Sequence, residues 1–175
     1  MKKYICTVAF VVVSSFLFVQ GQPSALNCSD INENLITLKG SIDNLDAYKK
    51  QQTSISGSQH FYSTDFTVCN VKGKFWEMRI NSKTDMRLSF HFDLENKADF
   101  GLRHQHVLML LEEIKKVFAD WELEEESEDH GNIHNYDFTE KGYPDAKIKR
   151  MVSIIEYAYY NDDYSIALEF SWRNY

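Results

Sequence analysis

Between Ser29 and Lys50 the apolar residues Ile31, Leu35, Leu38, Ile42 and Leu45 fall four, three, four and three apart, one stripe of an amphipathic helix. Ser29 or Asp30 is placed to cap it, and Gly40 weakens its middle by about 1 kcal/mol relative to alanine. The polar stretch Gln51 to Gln59 reads as a loop. A period of two then takes over. Phe61 to Cys69 is aromatic and β-branched. Phe75 to Ile80 alternates, with Trp76, Met78 and Ile80 on one side and Glu77 and Arg79 on the other. Met86 to Leu94 alternates with Met86, Leu88, Phe90, Phe92 and Leu94 inward, and Val71 to Lys74 supplies a hairpin turn between the first two strands.

The helical period returns at Val107, Leu111, Ile114, Phe118 and Trp121, which repeat the first spacing. Glu122 to Asp129 is an acidic run and reads as a charged linker. Ile133 to Thr139 follows as a strand and Lys141 to Pro144 as a turn. The arms of a last hairpin, Lys149 to Tyr160 and Tyr164 to Trp172, flank a turn at Asn161 to Asp163. The expected fold class is α+β: an antiparallel sheet with two amphipathic helices on one face. A helix and three strands occur twice in succession. That order suggests a tandem α-βββ duplication, with halves at 29–100 and 101–175. The expected core comprises Leu35, Leu38, Leu88, Phe90, Leu111, Phe118, Leu168 and Phe170.

The N-terminus changes the picture of compartment. Lys2 and Lys3 precede an uncharged run from Ile5 to Val19, and Val19-Gln20-Gly21 has small or aliphatic residues where a signal peptidase reads them. Residues 1–21 are therefore expected to be a signal peptide and 22–175 a single mature domain beginning at Gln22, exported and with no membrane attachment after cleavage. An uncleaved anchor, or a lipid on Cys28, fits the pattern less well. With Cys6 lost, Cys28 and Cys69 remain and are expected to pair, closing a loop of about 40 residues worth roughly 4 kcal/mol in the chain-entropy model. The formal net charge of −7 deepens by two when Lys2 and Lys3 leave. That balance argues against nucleic acid or an anionic membrane as the main partner.

Chemistry is sparsely marked. The chain has no clustered glycines, nucleophile elbow or phosphate loop, and calls for no cofactor. His104-Gln105-His106 and the pair His130 and His134 invite a metal, but Gly131-Asn132 interrupts any helical spacing, and the acidic run lacks the pattern of a calcium loop. No metal site is expected. Period-two logic places Glu77, Arg79, Arg87, His91, Asp93, Glu169 and Arg173 together on a wet sheet face, edged by Tyr159 and Tyr160 of the last hairpin. Mixed charges beside tyrosines suit protein docking. The expected function is accordingly that of an exported, non-enzymatic binding domain whose partner is another protein, in the manner of an inhibitor or immunity factor. A carrier of a small apolar ligand is the alternative, and a hydrolase-type enzyme comes third.

Overall fold

The computed structural model describes residues 28–93, 100–128, 133–144, 147–158 and 164–174. In chain order these form α1 (Ile31–Ser41), a 3-10 helix (Ile42–Tyr48), β1 (Gln52–Ser56), β2 (Gln59–Val68), β3 (Val71–Ile80), β4 (Lys83–Asp93), α2 (Phe100–Val117), β5 (Glu122–Glu128), β6 (Ile133–Thr139), β7 (Lys141–Pro144), β8 (Ile148–Ala158) and β9 (Tyr164–Asn174). All strands but β7 join an eight-stranded sheet in the order β1-β2-β3-β4-β9-β8-β6-β5, and every pairing is antiparallel. The fold is α+β with the sheet dominant. The expected signal peptide, Tyr159 and Tyr160 lie outside the described residues.

Register decides which side chains share a face, because residues directly opposite one another point the same way. Tyr62, Phe75, Leu88, Phe170, Val152, Phe138 and Leu123 stand abreast in one row. Phe90, Leu168, Ile154 and Tyr136 form the next. Both helices lie over this face. Ile31, Leu35 and Leu38 of α1, Ile42 and Leu45 of the 3-10 helix, and Val107, Leu110, Leu111 and Ile114 of α2 are buried in one cluster with it. Phe118 packs 6.4 Å from Phe170, and Phe170 6.4 Å from Phe90, ring centre to ring centre. All eight expected core residues are buried.

Several local expectations are corrected. The first helical stripe is right in its apolar positions, but the α-helix stops at Ser41 and tightens into the 3-10 helix, where Asn44 leaves helical geometry (φ −129°, ψ 39°). Asp30 is the N-cap residue, yet its side chain makes no cap hydrogen bond; its Oδ2 accepts from Asn34 Nδ2 at 2.7 Å instead. The expected loop from Gln51 to Gln59 holds β1, which Thr53 and Ile55 favour and which turns into β2 at Gly57 (φ 61°). The expected linker at Glu122 forms β5. Leu123 lies in the core row opposite Phe138, while the glutamates stay hydrated at the sheet edge. Lys141–Pro144, expected as a turn, is a short strand.

The β2–β3 hairpin turns two residues earlier than the glycine suggests. Val68 pairs with Val71, and the two residues between, Cys69 and Asn70, both have positive φ (51° and 61°), as a two-residue hairpin loop requires. Gly73 is inside β3 instead. A Cβ there would lie 2.8 Å from Phe90 Cε1 and 3.0 Å from both Leu88 Cδ1 and Thr64 Cγ2, so glycine makes room for the core ring crossing over it. The Cys28–Cys69 disulfide forms, with Cα atoms 4.2 Å apart, and ties the start of α1 to this turn.

Candidate functional site

The sheet face away from the helices is open along β3 and β4, whereas Met151, Ser153, Ala167 and Ser171 at its centre are buried. Trp76 on β3 stands opposite Arg87 on β4, which stands opposite Ser171 on β9. The guanidinium of Arg87 lies 4.6 Å from the centre of the Trp76 ring, a cation–π contact that holds the side chain flat along the sheet. From there Arg87 Nη1 donates to Glu169 Oε1 at 3.1 Å and Nη2 to Asp85 Oδ2 at 3.2 Å. Arg173 Nε sits 3.1 Å from the same Asp85 oxygen, close enough for an ion pair but not aligned for a hydrogen bond. A cleft of about 330 Å³ opens beside this network. Phe61, Lys74, Trp76, Ser89, His91 and Glu169 line it.

The electrostatics follow from partial burial. Desolvation is the largest influence on Glu169 and raises its carboxyl above the ordinary range, although Arg87 and Arg173 pull the other way. Desolvation likewise opposes the charge on Arg87, but Glu169 and Asp85 outweigh it and strengthen its hold on the proton. The side chains of Asp85 and Glu169 are 14% and 13% exposed, so this network stands between a solvated surface pair and a buried one.

The structure divides the expected site residues. Arg87, Glu169 and Arg173 come together, and His91 lines the same cleft from an exposed position. Asp93 ends β4 opposite Ser165, and its side chain lies outside the described residues. Glu77 and Arg79 are corrected: they belong to the helix-covered face. Phe75, not Trp76, is the core residue of β3, because it stands opposite Leu88, and that register carries Glu77 inward opposite Met86. Glu77 is buried there and accepts from Lys49 Nζ at 3.0 Å, from Tyr62 Oη at 3.4 Å and from Arg79 Nε. Burial alone would raise its carboxyl, but the bonds from Lys49 and Arg79 outweigh burial and lower it. The Lys49 ammonium lies over the rings of Tyr62 and Phe75, which pins the end of the 3-10 helix to the sheet.

Sequence reasoning missed Trp76, Asp85 and Lys74. The signal for the first two was present: Trp76 and Asp85 share the parity of Arg87 once Phe75 is taken as the inward residue. On this face Ser89 stands opposite Glu169 and donates its hydroxyl to the Lys74 carbonyl at 3.4 Å. His91 pairs with Ala167, four residues along β9 from Ser171, about 14 Å at ordinary strand rise. The described residues contain no group of three or more His, Cys, Asp or Glu side chains arranged to hold a metal ion. No described helix is long and apolar enough to cross a membrane.

The wider face carries a charge gradient. By register, β3 and β4 place Lys72, Lys74, Lys83 and Arg87 on it against Asp85 and Asp93. At the other end, β6 and β5 contribute Asp137, Glu122, Glu124, Glu126 and Glu128, with no Lys or Arg. Between them, β9 and β8 place the charged Glu169, Arg173 and Lys149 beside the buried Ser171, Ala167, Met151 and Ser153. No family model, curated protein or solved structure matches the chain.

Proposed function

We propose that the chain is an exported, non-enzymatic binding protein that engages another protein through the open face of its sheet. The observation that carries this is the Trp76–Arg87–Glu169–Asp85–Arg173 network: an aromatic anchor and oriented charges, partly desolvated, on the part of the face that is open along β3 and β4. Such a combination fixes the orientation of a partner and supplies a large contact surface. Export is supported by the n-region and apolar run of residues 1–21, together with the disulfide, which persists in oxidising compartments.

Tandem duplication belongs to the same reading, as two α-ββββ units rather than α-βββ units. The first unit contributes β1 to β4 and the second β5, β6, β8 and β9. The sheet order runs outward from the β4–β9 seam in the same way on both sides.

The test is a pull-down with the tagged full chain from cells that export it, followed by affinity measurements with the recovered partner. Changing Arg87 or Trp76 to Ala should weaken binding by about tenfold or more, as central aromatic and arginine contacts do, and His91→Ala, Tyr159→Ala and Tyr160→Ala should weaken it less. Leu108→Ala, on the exposed side of α2, should leave it unchanged. Equal affinity across the open-face variants would sink the assignment.

A further inference from the structure

We propose that the open part of the sheet face takes an acidic, extended segment of the partner, which lies along β3 with a carboxylate against Lys74 and an apolar side chain on Met78 and Ile80. The inference rests on the open-face reading and specifies the chemistry of its occupant. By register, the Trp76–Arg87 row separates two hollows. One is the cleft of about 330 Å³ that Lys74, Ser89, His91 and Glu169 line. The other, of about 250 Å³, is lined by Met78, Ile80, Lys83, Thr84, Asp85 and Arg173. In the cleft, Arg87 is matched by Glu169 and Asp85, and Asp85 also holds Arg173. Lys74 is exposed, and among the described residues its ammonium has no ion pair, whereas Lys72, two places away on the same face, lies 3.4 Å from Asp65. Lys74 is therefore the charge that the cleft leaves uncompensated, beside the aromatic rings of Phe61 and Trp76.

Charge and spacing fix how the segment lies. Across the two hollows Lys74, Lys83, Arg87 and Arg173 outnumber Asp85 and Glu169. Lys149 opposite Arg173 and Asp93 beyond His91 add one charge of each sign and leave that excess unchanged. Asp137 on β6 and the glutamates of β5 stand at least four strand spacings from β3, about 19 Å, which is more than twice the Debye length of about 8 Å at physiological salt. They repel an acidic segment only if it crosses the strands towards them, so it runs along β3. Lys74 and Met78 are four residues apart on one face, about 14 Å at ordinary strand rise. An extended partner has the same rise, so its alternate side chains meet Lys74, Trp76 and Met78 in step. Met78 is half-buried and Ile80 exposed, which gives the far end an apolar seat.

The experiment titrates the protein purified from cells expressing the full chain with the peptide acetyl-Glu-Ser-Ala-Ser-Leu-amide and with its glutamine counterpart, following the Trp76 indole N–H by NMR. The glutamate peptide should bind with a Kd on the order of 1 mM, about fivefold more tightly than the glutamine peptide. Lys74→Gln should abolish that preference, and Ile80→Ser should weaken both peptides by about threefold. Lys72→Gln, whose ammonium Asp65 already holds, should leave the preference intact. Thermal unfolding checks that each variant is folded. An indole signal that does not move at about 10 mM peptide overturns the proposal. So does equal affinity for the two peptides, or a Lys74→Gln protein that keeps the preference for glutamate. If the peptides show no preference yet a partner captured by the full chain is lost on Arg87→Ala, the open face docks a segment of other chemistry and only the acidic one is refuted. If that partner is indifferent to every open-face variant as well, the functional reading falls with it.

Discussion

Replacing Gly73 with alanine should destabilise the fold, although the same change at an unobstructed strand position would stabilise it. The new methyl would sit 2.8 Å from Phe90 Cε1, a ring that is fully buried, edge-on to Phe66 at 6.2 Å and Phe170 at 6.4 Å, with no free direction in which to turn. Thr64 cannot swing its methyl away cheaply either, because its Oγ1 accepts from the Phe66 N–H at 3.2 Å. Over-packing of this kind costs about 1–3 kcal/mol. The smaller entropy of the unfolded alanine chain returns roughly 0.4–1 kcal/mol. The net loss is then about 1–2 kcal/mol, a fall of roughly 0.5–1 M in the urea midpoint for a domain of this size. Urea unfolding without reductant, followed by tryptophan fluorescence, measures it. Phe90→Leu removes the ring edge, so the double variant should lose less than the sum of the singles. A Gly73→Ala protein as stable as the parent, or strict additivity with Phe90→Leu, would refute the packing argument.

The two partly buried carboxylates should titrate in opposite directions. In a carboxyl-carbon NMR titration Glu77 should lose its proton below, and Glu169 above, the ordinary value of 4.5. The stability contributed by Glu77 is therefore present above that value and lost as pH falls through its lowered folded pKa, whereas the contribution of Glu169 is present below it and lost as pH rises through its raised one. Glu77→Gln should cost about 2–3 kcal/mol at neutral pH, since Lys49 keeps Asp46 but loses its buried partner, and should remove part of the acid dependence; an unchanged acid limb would contradict this. Separating Cys28 from Cys69 by serine substitution should cost about 4 kcal/mol for a sequence separation of 41, read from denaturant midpoints, while thiol labelling of the native protein should find neither cysteine free.

Strong periodicity was legible and weak periodicity was not. The helical stripes and the β4 and β9 alternations placed every expected core residue correctly, because burial on one face leaves little freedom of register. β3 defeated the same logic. Its later even positions, Trp76, Met78 and Ile80, are apolar, yet the sheet turns Phe75 and Glu77 inward, and the charge is made tolerable by Lys49 from a helix distant in sequence. Edge strands were invisible for a related reason. β1 is exposed throughout and β5 is exposed except at Leu123, so neither shows the half-buried pattern that identifies a strand. Of the nine expected site residues, Arg87, Glu169 and Arg173 come together, because β4 and β9 were the strands whose faces the sequence stated clearly.

The seam between β4 and β9 has a consequence for how the chain comes to be folded. β9, the last of the described strands in chain order, is not a trim on the sheet but one of its two central strands, and Thr84 must wait for Asn174, ninety residues later, before the pair can close. Until then β4 offers an open edge and the row from Phe75 to Leu123 is cut in two, so a growing chain cannot complete its core before β9 has emerged. Termination before β9 would leave two half-sheets with no strand to join them.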